Sequence, residues 1–182
     1  MRYTDSDRVF DELLVISVRA GNRRAAERLA ARWHPRLVRT ATRFLGNADQ
    51  GQDAAQEAWA AMSAAWVRLD DPRKFAGWAF SILHRKCSDI QRRLIKDRDG
   101  LSELTLAATD SPQDASSDRR LAINDAFAGL KPEHRATAIL FFAEGLTLIE
   151  IAHITGAPVG TVKSRLFHAR QQLKSNLERE NP

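Results

Sequence analysis

A chain of 182 residues with one cysteine, Cys87, can form no internal disulfide and cannot build a thiolate zinc site from its own thiols. No stretch approaches the eighteen or more apolar residues that a membrane span requires. The opening Met1-Arg2-Tyr3-Thr4-Asp5-Ser6-Asp7 has no apolar segment behind a basic start, so neither secretion nor membrane insertion is expected. The expected compartment is the cytoplasm. A nucleophile elbow, a phosphate-cradling glycine loop and zinc-ligand spacing are all missing. His34, His84 and His134 have no ligand-spaced neighbours, and Glu150-x-x-His153 lacks the second copy that a di-metal carboxylate bundle needs. The sequence therefore reads as a non-enzyme, with no cofactor and no metal.

What is present is enough apolar material to fold. Hydrophobic residues make up 43% and charged residues 28%, well away from the composition of disordered chains. The formal net charge is +5, which makes a polyanion a plausible partner but says nothing about fold. Along the chain that charge divides unevenly. Residues 1–97 hold 18 basic and 12 acidic side chains, 98–120 hold 3 and 5, and 121–182 hold 7 and 6. The middle stretch carries Gly100, Ser111-Pro112, Ser116-Ser117 and four aspartates without an apolar period, as a linker would. The expected organisation is a domain over 1–97, a linker over 98–117 and a second domain over 118–182.

Both flanking regions have the period of helices, so the fold class is all-α in two helical domains. Leu29, Trp33, Leu37, Ala41 and Phe44 recur at spacings of four, four, four and three, with Gly46 placed as a left-handed cap. Val9, Phe10, Leu13, Leu14 and Val18 suggest a shorter inward stripe before Gly21. A third helix is expected from about Asp49 to Leu69, with Ala58, Met62, Ala65, Trp66 and Leu69 inward. A fourth opens at Asp71-Pro72, a cap followed by proline at the first helical position, and buries Phe75, Trp78, Ala79, Ile82, Cys87 and Ile90. In the C-terminal region, Leu121, Ala122, Ala126, Phe127 and Leu130 form one helical stripe. Pro132 opens a further helix, which Gly145 closes.

The segment that follows carries the most specific signal. Thr147 and Glu150 have capping-box spacing, Ile151, Ala152 and Ile154 supply a short helix with an inner face, and Gly156 permits a tight turn. Past Pro158, Val162, Leu166, Ala169, Leu173 and Leu177 repeat at four, three, four and four. The other faces of that second helix hold Thr161, Lys163, Ser164, Arg165, His168, Arg170, Gln171, Gln172 and Lys174, with no acid between Thr161 and Leu177. Uncompensated cations beside hydroxyls suit a groove lined by phosphates and base edges. A short helix, a glycine turn and a basic helix form the helix-turn-helix arrangement, whose second helix enters the major groove. A helical hairpin with a solvated basic face is the plainer alternative.

Three stretches of this sequence resemble region 4 of the extracytoplasmic-function (ECF) sigma factors of the sigma-70 family. They are Gly129-Leu130-Lys131-Pro132-Glu133-His134-Arg135, Phe141-Phe142-Ala143-Glu144-Gly145-Leu146-Thr147 and Val159-Gly160-Thr161-Val162-Lys163-Ser164-Arg165-Leu166-Phe167-His168-Ala169-Arg170. Asp53-Ala54-Ala55-Gln56-Glu57-Ala58-Trp59 is similar to the signature of the family's region 2, and Phe75-Ala76-Gly77-Trp78 through Asp89 and Arg92-Arg93 is similar to its later helix. The resemblance spans about Asp7 to Leu177. It implies a transcription initiation factor that binds core RNA polymerase and directs it to particular promoters. By residue match, a polymerase clamp coiled coil would be met by Asp53, Gln56 and Glu57. The −10 element would be met by the Leu69–Lys74 loop and the following helix, through Arg73, Lys74, Arg85, Lys86, Arg92 and Arg93. At the −35 element, base edges fall to Lys163, Ser164, Phe167 and His168, and phosphates to Thr161, Arg165 and Arg170. An anti-sigma factor is implied as a further partner, and the free chain is expected to be a monomer. Two departures stand out. Ala54-Ala55 replaces the family's large aliphatics, and Arg85 stands where asparagine is common.

Opening DNA requires capture of unstacked bases, for which aromatics beside cations are suited. Phe75, Trp78 and Phe80 lie among the basic residues of the fourth helix, but the helical spacing of Phe75 and Trp78 favours a core role. Arg24, Arg28, Arg32, Arg36, Arg39 and Arg43 line one helix face and are assigned no role, since a solvated face explains them as well as a bound polyanion. Two other classes share these features. One is a sigma-like decoy that captures an anti-sigma protein without touching DNA. The other is a dimeric helix-turn-helix repressor or activator.

Overall fold

Several helices in this chain begin where a short polar side chain satisfies a backbone donor that has no helical partner. Asn22 accepts from the Ala25 amide at 3.1 Å and Asn47 from the Gln50 amide at 2.9 Å. The computed structural model describes residues 5–100 and 127–180, and every regular element within them is helical. The N-terminal elements are α1 (Asp5–Arg19), α2 (Arg23–Leu45), α3 (Ala48–Ala65) and α4 (Phe75–Gly100). Helix α2 runs through Pro35 and stops at Gly46 in the left-handed conformation, with φ of 73°. Between α3 and α4, Asp71 caps a 3-10 turn over Pro72–Lys74. C-terminal elements are α5 (Pro132–Ala138), a π-helical turn (Ile139–Ala143), α6 (Leu148–Thr155) and α7 (Val159–Glu180). Most of the helix expected over 121–130, and residues 101–117 of the expected linker, lie outside the described residues.

Helix α3 lies close against α2 because its contact stripe is made of small residues. Gly51, Ala54, Ala55 and Ala58 are all buried there, followed by Met62. A Cβ on Gly51 would sit 2.6 Å from the Thr42 backbone nitrogen and 2.7 Å from its Cα, so only glycine allows this approach. Ala54 and Ala55, where the family pattern has large aliphatics, are both fully buried in this chain.

Trp33 anchors the bundle, with its ring 4.7 Å from Phe75 in an edge-to-face contact and 5.6 Å from Phe80. Phe75 and Phe80 are fully buried, which removes both from base capture in this arrangement, and Trp78 packs against Trp66 at 5.6 Å.

Helix α1 differs from the sequence expectation. Its inner face is Asp11, Leu14 and Val15, with Val18 partly buried, whereas Val9, Phe10 and Leu13 are exposed. The reason is a buried carboxylate: Asp11, 1% exposed, accepts from Trp33 Nε1 at 2.9 Å and Arg32 Nε at 2.7 Å. A buried charge supplied with donors is tolerated, and it rotates the helix to bring Asp11 inward. The displaced stripe Val9, Leu13 and Ile16 faces outward.

The C-terminal elements rest on the N-terminal bundle. Helix α6 packs on α4, and α5 and the π-helical turn touch α2. Buried side chains from both halves form one contiguous cluster, from Leu14 to Ala169.

Candidate nucleic-acid interface

A helix-turn-helix depends on the accuracy of its turn. Thr147 Oγ1 accepts from the Glu150 amide at 3.3 Å, and the Glu150 carboxylate accepts from the Thr147 amide at 2.7 Å and its hydroxyl at 2.8 Å. This reciprocal cap starts α6. Gly156 ends it with φ of 66°, a left-handed conformation that L side chains resist. Val162 and Ala169 then bury one face of α7, with Leu166 and Leu173 half-buried beside them.

That packing decides what α7 presents. Lys163, Ser164, Phe167, His168 and Arg170 are exposed, along with Gln171 and Lys174. Phe167 is 58% exposed, a large apolar surface suited to contact with a thymine methyl. His168 stacks on His134 of α5 at 5.9 Å with the rings 13° apart, and Phe167 meets its edge at 5.6 Å. Residue periodicity within α7 could not reveal His134 as a support for His168, because the contact crosses from another helix. Ser164 donates to the Thr161 carbonyl at 3.0 Å, and Thr161 is half-buried.

Arg165 stands apart from this exposed set. It is half-buried, 4.0 Å from Glu133, and lines a cleft opposite α4. His84 of α4 faces the same cleft. Burial, and then the charge of Arg165, lower its pKa below the ordinary imidazole value. Burial likewise pushes the Cys87 thiol up to about 12.

The basic residues of the N-terminal bundle fall into two groups. Arg73 folds back on Asp71 through two bonds of 3.0 and 3.1 Å, Arg92 pairs with Asp89, and Lys86 bonds Glu57 at 3.0 Å. The Arg73 hydrogen bond also lowers the Asp71 pKa. Lys74, Arg85 and Arg93 are exposed and have no salt bridge among the described residues. On α3, Asp53 and Gln56 are exposed, and Glu57 is half-buried against Lys86. The arginine stripe of α2 is divided in a way its spacing does not show: Arg32 binds Asp7 and Asp11 of α1, and Arg36 binds Glu144.

Comparison with known proteins assigns this architecture. A family model described as Sigma-70 region 2 matches residues 29–96, and one described as Sigma-70, region 4 matches residues 120–173. The ECF RNA polymerase sigma factor SigL of Mycobacterium tuberculosis is 32% identical over 152 residues, covering 78% of this chain and 82% of its own. The chain belongs to the ECF sigma factors of the sigma-70 family. It is a transcription initiation factor of the promoter-directing kind. The ECF RNA polymerase sigma factor SigW of Bacillus subtilis is 28% identical over 176 residues, covering 88% of this sigma factor and 92% of its own chain. Two solved structures share the fold at 24% identity. The sigma factor RpoE of Bartonella quintana, in complex with the anti-sigma factor NepR, has a TM-score of 0.71 over 84% of this chain and 96% of its own. CnrH, in complex with the cytosolic domain of CnrY, has a TM-score of 0.67 over 94% and 99%. No helix among the described residues of this sigma factor is long and apolar enough to cross a membrane.

Proposed function

We propose that this sigma factor binds core RNA polymerase through Asp53, Gln56 and Glu57 and reads two promoter elements with two separate helices. Helix α7 reads the −35 element, with Lys163, Ser164, Phe167 and His168 at base edges and Thr161, Arg165 and Arg170 on phosphates. The Leu69–Lys74 loop and α4 meet the −10 element through Arg73, Lys74, Arg85, Lys86, Arg92 and Arg93. Residues 1–97 and 118–182 act as the two binding modules, with 98–117 between them. The reaction chemistry belongs to the polymerase and needs no cofactor from this chain, which works in the cytoplasm as a monomer until it meets its partners.

The observation that carries this reading is the face of α7. Four candidate base-reading side chains lie together on the solvent side of a helix whose opposite face is fixed by Val162 and Ala169. Direct readout requires that combination of rigid backing and free polar tips. A protein partner of the anti-sigma type fits the same reading, since RpoE, a protein of this fold, is seen in complex with the anti-sigma factor NepR.

The test is run-off transcription by core RNA polymerase and this chain on fragmented genomic DNA. Discrete new start sites that require both proteins support the reading. No association with core polymerase above background overturns it, and a stable dimer on palindromic DNA would point to an ordinary helix-turn-helix regulator instead.

A further inference from the structure

Glu144 follows the π-helical turn and is only 5% exposed. Its carboxylate accepts from Arg36 Nε at 2.6 Å and from the Thr40 hydroxyl, while Arg36 Nη2 donates to the Glu144 carbonyl at 3.2 Å. Arg36 is held in place by the faces of Trp33, at 4.5 Å, and Phe80, at 5.1 Å. All of these partners belong to the N-terminal bundle. A second tie, Arg8 to Glu150 at 3.7 Å, joins α1 to the first turn of α6. Between the two ties, α6 buries Ile151 and Ile154. Beyond them lies a cleft of about 170 Å³ in which His84, Cys87 and Gln91 of α4 face Glu133, Thr155 and Arg165.

A buried ion pair adds little net stability, but removing one partner strands a charge away from water. Such a pair therefore selects one docking geometry over others. That geometry conflicts with reading a promoter. Elements at −35 and −10 are about 25 base pairs apart, or about 85 Å of duplex at ~3.4 Å per pair. Here Arg165 of α7 and His84 of α4 line a single cleft, where Arg165 is half-buried. We infer that the free sigma factor rests in a self-closed state, latched by Glu144 between Arg36 and Thr40, and that this latch must open before both elements are engaged. The need to open rests on the two-element reading above; the closed state itself does not.

Cys87, the sole cysteine, reports on the latch. It is 2% exposed and lines the cleft, so thiol labelling of the full chain measures opening without an added probe site. The experiment compares maleimide labelling rates and small-angle scattering for the wild type, Glu144→Gln, Thr40→Val, Arg36→Glu and the exchange Arg36→Glu with Glu144→Arg. Wild-type chain is expected to label slowly and scatter as a compact particle. Glu144→Gln, nearly isosteric, should label about tenfold faster and show a larger radius of gyration with unchanged helical circular dichroism. Thr40→Val should move both readings the same way by less, and the exchange should restore part of the slow rate that Arg36→Glu alone loses. Equal rates and radii in wild type and both Glu144→Gln and Thr40→Val overturn the latch, as does a wild type that labels as fast as urea-unfolded chain. Neither measurement uses polymerase or DNA. A chain that closes but does not initiate sinks only the transcription reading; one that initiates but never closes sinks only the latch.

Discussion

Trp33 Nε1 donates to Asp11 Oδ2 at 2.9 Å in a site where both residues are about 1% exposed, and Arg32 closes the other carboxylate oxygen at 2.7 Å. One carboxylate thereby fixes the rotation of α1 and occupies the indole of the core tryptophan. Asp11→Ala would leave the indole donor buried without that partner, at a cost of about 2 kcal/mol. Asp11→Asn, which can still accept, should cost less. Chemical denaturation of the two variants measures the difference, and equal midpoints for Asp11→Ala and wild type would refute the account.

Gly51→Ala should destabilise the bundle by about 1–3 kcal/mol through overpacking. The added methyl meets the Thr42 backbone, at 2.6 Å from nitrogen, and a backbone cannot rotate aside as a side chain can. A lowered denaturation midpoint with an unchanged m-value is the expected result. No change in midpoint would show that α2 and α3 can separate freely.

Acid should weaken the closed fold through His84. Its folded pKa lies below the unfolded value of about 6.5 because it is buried and faces the Arg165 guanidinium. The unfolded chain therefore takes up a proton first as pH falls below about 6.5, and stability declines from there toward the folded pKa. The groups around it are Glu133 from α5 and Arg165 from α7, with the Phe44 ring 6.0 Å away and edge-on. Thermal unfolding at pH 7.5 and 5.5 should show a larger drop for wild type than for His84→Gln. An identical drop would assign the acid sensitivity to other groups.

Lys163→Ala and His168→Ala should each reduce discrimination between the preferred promoter and altered sequences by ~1 to 3 kcal/mol if they meet base edges. Arg170→Ala should weaken binding to all sequences alike and flatten its salt dependence by about one unit of slope. Competition binding of the polymerase holoenzyme to promoter variants at several salt concentrations separates the two. Uniform loss for every variant would remove the base-reading role.

Thr147→Ala removes one half of the cap on α6 and should cost about 1 kcal/mol. Because Glu150 also reaches Arg8 at 3.7 Å, Glu150→Ala should lower stability and loosen α1 as well. Hydrogen exchange over α1 and α6 distinguishes the two effects: faster exchange confined to α6 in both variants would discount the Arg8 tie.

Devices made by neighbours in the sequence are legible from it. The Thr147–Glu150 cap, the Gly46 and Gly156 turns, and the inward residues Val162 and Ala169 all follow from spacing within a few positions. What spacing cannot show is burial secured by distant partners. Asp11 reads as a surface residue because its donors lie 21 and 22 positions away. Glu144 reads as a helix-end acid because Arg36 and Thr40 lie more than 100 positions upstream. Phe80 reads as a base-capture aromatic beside cations because a residue that buries it, Trp33, lies on another helix. DNA and polymerase contacts of individual side chains follow from family resemblance and not from spacing, because a base contact leaves no period in the sequence.

The π-helical turn at Ile139–Ala143 makes Glu144 a matter of chain length. A π turn holds one more residue than an α turn, and each residue advances a helix by about 100°. If the same five residues wound as ordinary α-helix, the extra one would no longer be absorbed and the carboxylate would swing about a quarter-turn from Arg36, leaving every side chain of the latch in the sequence and Glu144 out of register. In this protein the fit between its two halves is counted in residues before it is felt as charge.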